Sequence, residues 1–295
     1  MVAPDRLLCR LEWRVIRRLD GRLQGAYRTA YRGSGVDFAG LREYVESDDA
    51  RHIDWNATAR LTDPQVRQYV EDRELTAWLV LDRSASMTVG RPGRGKHDVL
   101  AELALTLARL FGRGGNRVGA VLYDGTATRV VPAGTGRIHA LRIGHELDRT
   151  AGPGAGTTDT TDLAAMLDAV AGLARRRSVI VIVSDFIGTG EWERALVRLA
   201  HRNDVVALRV VDAADDALPE VGLVVVEDAE TGEQLLVDSS DPLFQARLRA
   251  GVDERDAVLA AGMRRAAVPL HQIDTRRDLV EALIEVVTRT RWRPT

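Results

Sequence analysis

The spacing of hydrophobic residues changes along the chain, and each spacing predicts a type of element. Apolar residues recur with helical periodicity over residues 5–19, and from residue 75 onward short apolar runs alternate with amphipathic segments. Residues 178–184 (SVIVIVS) form a continuous β-branched run, which is typical of a central parallel strand buried on both faces. The alternation predicts an α/β fold with a doubly wound, mostly parallel sheet covered by helices on both faces.

The same pattern gives approximate bounds for the elements and a division into two parts. Residues 21–40 form a polar stretch that contains glycines, and no element is predicted there. Residues 1–73 are interpreted as an N-terminal extension, and residues 74–295 as the α/β domain with a C-terminal hairpin and helices. The predicted strands are 66–71, 75–81, 118–123, 128–131, 178–184, 205–211, 222–226, 234–237 and 268–273. The predicted helices are 5–19, 96–113, 137–147, 162–175, 191–201, 244–265 and 278–288.

Composition and charge exclude several classes of function. The 295 residues are 45% hydrophobic and 28% charged, with a formal net charge of −2, so no global attraction to nucleic acid or to an anionic membrane is expected. The only cysteine is Cys9, which excludes an intrachain disulfide and favours a reducing compartment. No apolar run reaches the roughly 18 residues of a membrane span, and the N-terminus lacks a secretory pattern, so we expect a cytoplasmic protein.

Candidate chemistry begins where the strand over residues 75–81 ends. Asp82, Ser84 and Ser86 follow it at alternating positions, so a turn can direct their oxygen atoms toward one point. Ligands of parallel sheets bind at the carboxyl ends of the strands. Carboxylate and hydroxyl oxygens are hard donors, which suit Mg²⁺, Mn²⁺ or Ca²⁺ and are poor ligands for soft metals.

Two further loops can complete such a site. The run over residues 179–183 ends in Ser184-Asp185, and a parallel neighbouring strand would bring Asp185 to the same edge of the sheet. Residues 156–163 (GTTDTTDL) form a hydroxyl-rich loop that opens a helix and can supply a threonine. Asp82, Ser84, Ser86, one threonine and Asp185 would then be the ligands, with water in the remaining positions.

Each loop also has a purely structural interpretation. A serine and aspartate turn after a strand is often only a turn. Asp162 or Thr161 can cap the helix that follows, which does not exclude a metal role, and Asp185 can cap the segment near Gly188. The joint occurrence of all three loops in this order favours the metal.

Asp82-x-Ser84-x-Ser86, a threonine and Ser184-Asp185 resemble the metal-ion-dependent adhesion site of von Willebrand factor A domains. The resemblance covers roughly residues 72–212. It implies that these residues surround Mg²⁺ directly or through water and that a carboxylate of a protein partner completes the shell. Thr161, which is followed by Asp162-Leu163, matches the family threonine best, with Thr160 as the near competitor.

Two blocks upstream of the sheet are unusual in composition. Residues 35–44 and 48–60 mix aromatic residues with arginine and aspartate at close spacing. One hypothesis is that Arg51, Asp54 and Arg60 form a partly buried ion-pair network around Trp55. The other is that the segment forms a docking surface beside the metal loop.

These blocks are similar to the G-x-G-x-[DE]-F-x-x-L-R-x-Y and R-x-I-D-W-x-x-x-A-R signatures of a bacterial family named only as a domain of unknown function. The resemblance extends from about residue 32 to residue 185, and the family pairs these signatures with a von Willebrand factor A-like domain. Its genes commonly accompany MoxR-type AAA+ ATPases, which implies an adaptor or chaperone-like role beside such an ATPase. Many members carry transmembrane helices before the signatures, and this sequence shows none.

The leading hypothesis is therefore a metal-dependent protein-binding module, and we expect no enzymatic activity. The alternative is a metal-dependent phosphatase or hydrolase of Rossmann-like fold, because a strand-end aspartate with Mg²⁺ also starts aspartyl-phosphate chemistry. Those enzymes usually place a second acid two residues later, where this chain has Ser84. No lysine lies at an evident supporting position, although Lys96 is at the start of the first helix of the sheet domain. The glycine-rich segment over residues 90–97 fails the phosphate-loop spacing and has His97 in place of the Ser or Thr. The six histidines lack zinc spacing.

Overall fold

The computed structural model describes residues 37–45, 48–61, 63–70, 76–88, 94–113, 115–125, 127–149, 161–188, 191–216, 218–228 and 231–290. These residues fall into two compact units, a smaller one within residues 37–70 and a larger one within residues 76–290. The predicted helix over residues 5–19 and the predicted domain boundary at residues 73 and 74 lie outside the described residues.

The smaller unit is an antiparallel hairpin with two short helical turns in its connection. Strand β1 (Asp37–Glu43) pairs with β2 (Gln65–Val70), and a 3-10 turn (Ala50–His52) and helix α1 (Trp55–Thr58) lie between them. The prediction of β2 is confirmed. Strand β1 was not predicted, because its register shifts between Phe38 and Gly40, and such a bulge with a glycine breaks the alternation that marks a strand.

The larger unit contains a six-stranded sheet and a separate hairpin. Its strands are β3 (Thr76–Asp82), β4 (Arg117–Tyr123), β5 (Thr128–Gly134), β6 (Val179–Ser184), β7 (Asp204–Val211), β8 (Leu223–Glu227), β9 (Gln234–Asp238) and β10 (Leu270–Asp274). The sheet order is β10-β7-β6-β3-β4-β5, and only the edge strand β5 runs antiparallel to its neighbour. Strands β8 and β9 pair with each other, and of the predicted turn at residues 230–233 the structure describes residues 231–233.

Helices cover both faces of this sheet. They are α2 (Lys96–Arg113), α3 (Gly136–Arg149), α4 (Leu163–Leu173), α5 (Trp192–Arg202), α6 (Ala213–Asp216), α7 (Pro242–Arg265) and α8 (Leu279–Arg289). Helix α2 packs against α3 and α8, whereas α5 packs against α4 and α7, so two helical layers enclose the strands. The predicted α/β fold with a doubly wound, mostly parallel sheet of the von Willebrand factor A type is confirmed.

The core explains why the functional loops begin where they do. All six residues of β6 are buried, and so are the last six of β3, because helices cover both sides of these central strands. The buried run of β3 ends with Asp82 and that of β6 ends with Ser184. Polar residues therefore appear abruptly at the carboxyl edge of an apolar sheet. Among the helices of the described segments, none is long and apolar enough to cross a membrane.

Candidate metal centre

The loop after β3 brings together its three predicted ligands. Asp82 is the last residue of the strand, and a 3-10 turn (Ala85–Thr88) follows. The Ser84 backbone N–H donates to Asp82 Oδ1 at 2.9 Å, and the Ser84 and Ser86 hydroxyl oxygens lie 3.0 Å apart. Asp82, Ser84 and Ser86 are all buried, so their oxygen atoms are withdrawn from bulk water.

Parallel pairing of β3 with β6 places the second predicted loop beside the first. Leu81 pairs with Val183, so Asp82 and Ser184 end neighbouring strands, and Ser184 Oγ donates to Asp82 Oδ2 at 2.5 Å. Asp185 follows immediately and is also buried, with Oδ1 accepting the Ile187 backbone N–H at 3.0 Å. The predicted approach of Asp185 to this edge of the sheet is therefore what the structure shows.

The turn that carries Asp185 is conformationally strained. Phe186 has φ 57°, a left-handed conformation that is rare for a bulky residue and costs roughly 1–3 kcal/mol. Its backbone N–H donates to Ser184 Oγ at 2.8 Å, and its side chain is buried, so hydrogen bonding and packing hold the turn. Strain of this kind concentrates at binding and catalytic sites.

The third loop lies against the second. Thr161 is fully buried, and a Cβ atom added to Gly188 would lie 2.5 Å from the Thr161 carbonyl oxygen. Asp162 caps α4 by accepting the backbone N–H groups of Ala164 and Ala165. The predicted cap is therefore Asp162, and Thr161 is the adjacent buried residue. Its competitor Thr160 lies outside the described residues.

The electrostatics of the centre favour a cation. Burial, followed by repulsion from the negative charge of Asp185, raises the pKa of Asp82 to about 7, although hydrogen bonds from Ser184 and Ser84 partly oppose this. Two buried carboxylates that repel each other, together with buried hydroxyls, form a donor set of oxygen atoms only. This set fits a hard divalent cation such as Mg²⁺.

The number of carboxylates in the centre is limited. Across the described ranges, no three His, Cys, Asp or Glu side chains form a cluster that could hold a metal ion by themselves. An ion here would therefore depend on the hydroxyls as well as on Asp82 and Asp185.

Lys96 is the residue that the sequence interpretation missed. It begins α2, is fully buried, and its Nζ lies 2.8 Å from both Asp185 Oδ2 and Asp215 Oδ1. Burial alone would lower the pKa of Lys96, but the charges and hydrogen bonds of the two aspartates outweigh burial and raise it, so the ammonium stays protonated. The sequence interpretation noted Lys96 only as the start of a helix and did not predict its contacts with the two aspartates. Its partners are 89 and 119 residues away in the chain, and the one available signal was that the sequence contains a single lysine.

The predicted ion-pair network around a partly buried Trp55 is also wrong. Trp55 is 68% exposed. Asp54 caps α1 by accepting the backbone N–H groups of Asn56 and Ala57, and Arg51 pairs with the nearby Asp49 at 2.8 Å. Asp54 therefore serves as a helix cap, and Arg51 pairs with a residue two positions away instead of joining a network around Trp55.

The first signature block has a structural role in the smaller unit. Both terminal nitrogens of Arg42 donate to the Asp48 carboxylate, at 2.6 and 2.5 Å, and Asp48 Oδ2 also accepts the Val45 backbone N–H. The Tyr44 hydroxyl donates to the Asp48 carbonyl oxygen at 3.3 Å. The arginine and tyrosine of the block therefore fix the chain where it leaves β1.

The fold and the loops at the carboxyl ends of β3 and β6 define a von Willebrand factor A-like α/β domain with a candidate oxygen-donor metal centre. The chain belongs to the family described as Protein of unknown function DUF58, whose model matches residues 40–258. It is 38% identical over 283 residues to an uncharacterized protein of Mycobacterium tuberculosis, an alignment that covers 95% of this chain and 88% of the relative.

Solved structures give likenesses at low sequence identity. The conserved hypothetical protein BatB from Bacteroides thetaiotaomicron is 13% identical and aligns with a TM-score of 0.44 over 73% of this chain and 100% of its own. The SpRpn10 VWA domain is 15% identical and aligns with a TM-score of 0.39 over 72% of this chain and 95% of its own.

Proposed function

We propose that the larger unit is a metal-dependent protein-binding module. Asp82, Ser84, Ser86, Thr161 and Asp185 would hold a divalent cation, with Mg²⁺ as the first choice and Mn²⁺ or Ca²⁺ as chemically similar alternatives. The observation that supports this most strongly is the burial of two carboxylates and three hydroxyls on adjoining loops at the carboxyl edge of one sheet.

The proposed ligands would have different roles in holding the cation. Asp82 and Asp185 would provide the negative charge, and the hydrogen bonds from Ser184 and the Ser84 backbone would keep Asp82 oriented. Ser84 and Ser86 would contribute neutral oxygen donors from one turn. A bound ion would offer a coordination position to an Asp or Glu side chain of the partner.

The finer part of the proposal is the partner, a MoxR-type AAA+ ATPase beside which the chain acts as an adaptor or chaperone-like protein in the bacterial cytoplasm. The similarity of the two upstream blocks to the bacterial family supports this. The exposed Trp55 adds a surface suited to a protein partner, because tryptophan is enriched among the residues that dominate binding energy.

The phosphatase alternative is not favoured by the geometry. Both carboxylate oxygens of Asp82 accept hydrogen bonds, from the Ser84 N–H and the Ser184 hydroxyl. The position for a second acid holds Ser84, whose hydroxyl lies against Ser86. We therefore do not propose a hydrolytic reaction.

Capture of a purified MoxR-type ATPase by the immobilised chain tests the proposal. We expect capture in Mg²⁺, loss in EDTA, and a reduction of about tenfold or more in Ser86→Ala, which removes a donor oxygen. Thr88→Ala is a matched control, because its hydroxyl belongs to the same 3-10 turn but is exposed and bonds the Ala85 carbonyl oxygen. Equal capture in Mg²⁺ and EDTA would remove the metal from the proposed function.

A further inference from the structure

Lys96 places a fixed positive charge directly on one of the proposed metal ligands. The ammonium links the start of α2 to Asp185 after β6 and to Asp215 in α6, with both contacts at 2.8 Å. The Lys96 side chain is fully buried, and those of Asp185 and Asp215 are 2% and 10% exposed. Water therefore screens these interactions poorly.

The choice of lysine at this position is itself informative. The sequence contains a single lysine, and every other residue among its 41 lysines and arginines is an arginine. Arginine carries a planar, forked charge, whereas lysine carries a compact, point-like charge with three donors. The buried site between Asp185 and Asp215 thus holds the compact charge of the chain's only lysine.

The two carboxylates of the centre are held differently. Asp82 accepts hydrogen bonds from the neutral Ser84 N–H and Ser184 hydroxyl, whereas Asp185 contacts the Lys96 ammonium. A positive charge therefore already balances Asp185 before any metal arrives. Asp82 supplies the carboxylate whose hydrogen-bond donors carry no charge.

We propose that Lys96 is a built-in cation that holds Asp185 when no metal is bound and competes with a metal ion for it. The inference rests on the proposed metal site. When no metal is bound, Lys96 holds the Asp185 carboxylate in place. It also weakens metal binding, because a divalent cation at Asp185 meets a positive charge across a poorly screened distance.

Asp215 allows the exchange to occur without an unpaired buried charge. A lysine that lost Asp185 to a metal would still contact Asp215, so the ammonium would keep one carboxylate partner. Removing a partner from a buried charge is otherwise strongly destabilising. Lys96 would thus keep its contact with Asp215 at all times, whereas Lys96 and the metal would compete for Asp185.

The test compares Mn²⁺ titrations, followed by electron paramagnetic resonance, of the full chain and two variants. Asp215→Asn keeps Lys96 on Asp185, and we expect it to bind Mn²⁺ no more tightly than the wild type. Lys96→Met with Asp215→Asn removes one positive and one negative charge, so the double variant has the net charge of the wild type and one positive charge fewer than Asp215→Asn. We expect it to bind Mn²⁺ about tenfold more tightly than Asp215→Asn. Adding Mn²⁺ should also raise the melting temperature of the double variant by more than it raises that of Asp215→Asn.

A structural role alone would not tighten metal binding when Lys96 is removed. Equal or weaker Mn²⁺ binding in the double variant than in Asp215→Asn, or no binding in either, would overturn the inference. Adding Asp82→Asn to the double variant should abolish Mn²⁺ binding, and unchanged binding would place the ion elsewhere and also overturn the inference. Tight Mn²⁺ binding by the double variant without metal-dependent partner capture by the wild type would sustain this inference while refuting the proposed function.

Discussion

At the scale of single residues, the centre is a set of buried polar groups that satisfy one another. Ser184 supports Asp82 through its hydroxyl and receives the Phe186 backbone N–H, so one serine orders two turns. The Lys96 ammonium likewise joins two segments, because it donates to the carboxylates of both Asp185 and Asp215. Such groups are costly to leave unpaired, because a buried charge without a partner keeps its full desolvation penalty.

We expect Lys96→Met to lower the free energy of unfolding by about 3–5 kcal/mol, because it leaves two largely buried carboxylates without their cation. Urea denaturation of the purified chain measures this. Arg177→Met is the control: its ion pair with Asp204 is partly exposed, so a loss of about 1 kcal/mol or less is expected. Equal losses in the two variants would show that the Lys96 network is not the buried charge cluster described above.

At the scale of elements, the candidate centre forms where the loops after β3 and β6 end neighbouring parallel strands. The contact of Gly188 with the Thr161 carbonyl joins the loop after β6 to the loop before α4. Close packing at Gly188 therefore sets the distance between the second and third loops.

Gly188→Ala should separate these loops. The added methyl group would meet backbone at 2.5 Å, and we expect a loss of about 1–3 kcal/mol in unfolding free energy together with weaker Mn²⁺ binding. Gly172→Ala is the matched control, because this glycine lies in α4 with open space around it. We expect the free energy of unfolding of this variant to rise by up to about 1 kcal/mol. Unchanged stability and Mn²⁺ affinity in Gly188→Ala would argue against a shared centre.

Elements with a strong local pattern could be predicted from the sequence. The β-branched run predicted β6, the apolar stripe predicted α2, and the serines after Asp82 predicted the first loop. Each of these signals lies within one short stretch of the sequence. Strand β1 escaped because of its bulge at Gly40. Lys96 escaped because its contacts with Asp185 and Asp215 depend on tertiary packing, which residue spacing does not encode.

At the scale of the whole molecule, the larger unit carries the centre and the smaller unit carries the family signatures. In the smaller unit, Arg42 donates two hydrogen bonds to the Asp48 carboxylate, and Trp55 is exposed. An exposed tryptophan is a candidate partner contact, because tryptophan is enriched among the residues that dominate binding energy.

Trp55→Ala should therefore separate binding from stability. We expect a change in unfolding free energy of about 0.5 kcal/mol or less, because the side chain is already solvated. Capture of the MoxR-type ATPase should fall by about tenfold or more, because tryptophan side chains dominate the binding energy of many interfaces. Undiminished capture would mean that the smaller unit contributes nothing to this contact through Trp55.

The most direct test of the central claim is a Mn²⁺ titration of the wild-type chain beside Asp82→Ala and Thr88→Ala. The account predicts saturable Mn²⁺ binding by the wild type and by Thr88→Ala, because both keep the full set of buried oxygen donors. It predicts loss of this binding in Asp82→Ala, in which one of the two carboxylates is gone. Identical titrations for all three proteins, or no saturable binding by the wild type, would contradict a metal centre at the carboxyl edge of this sheet.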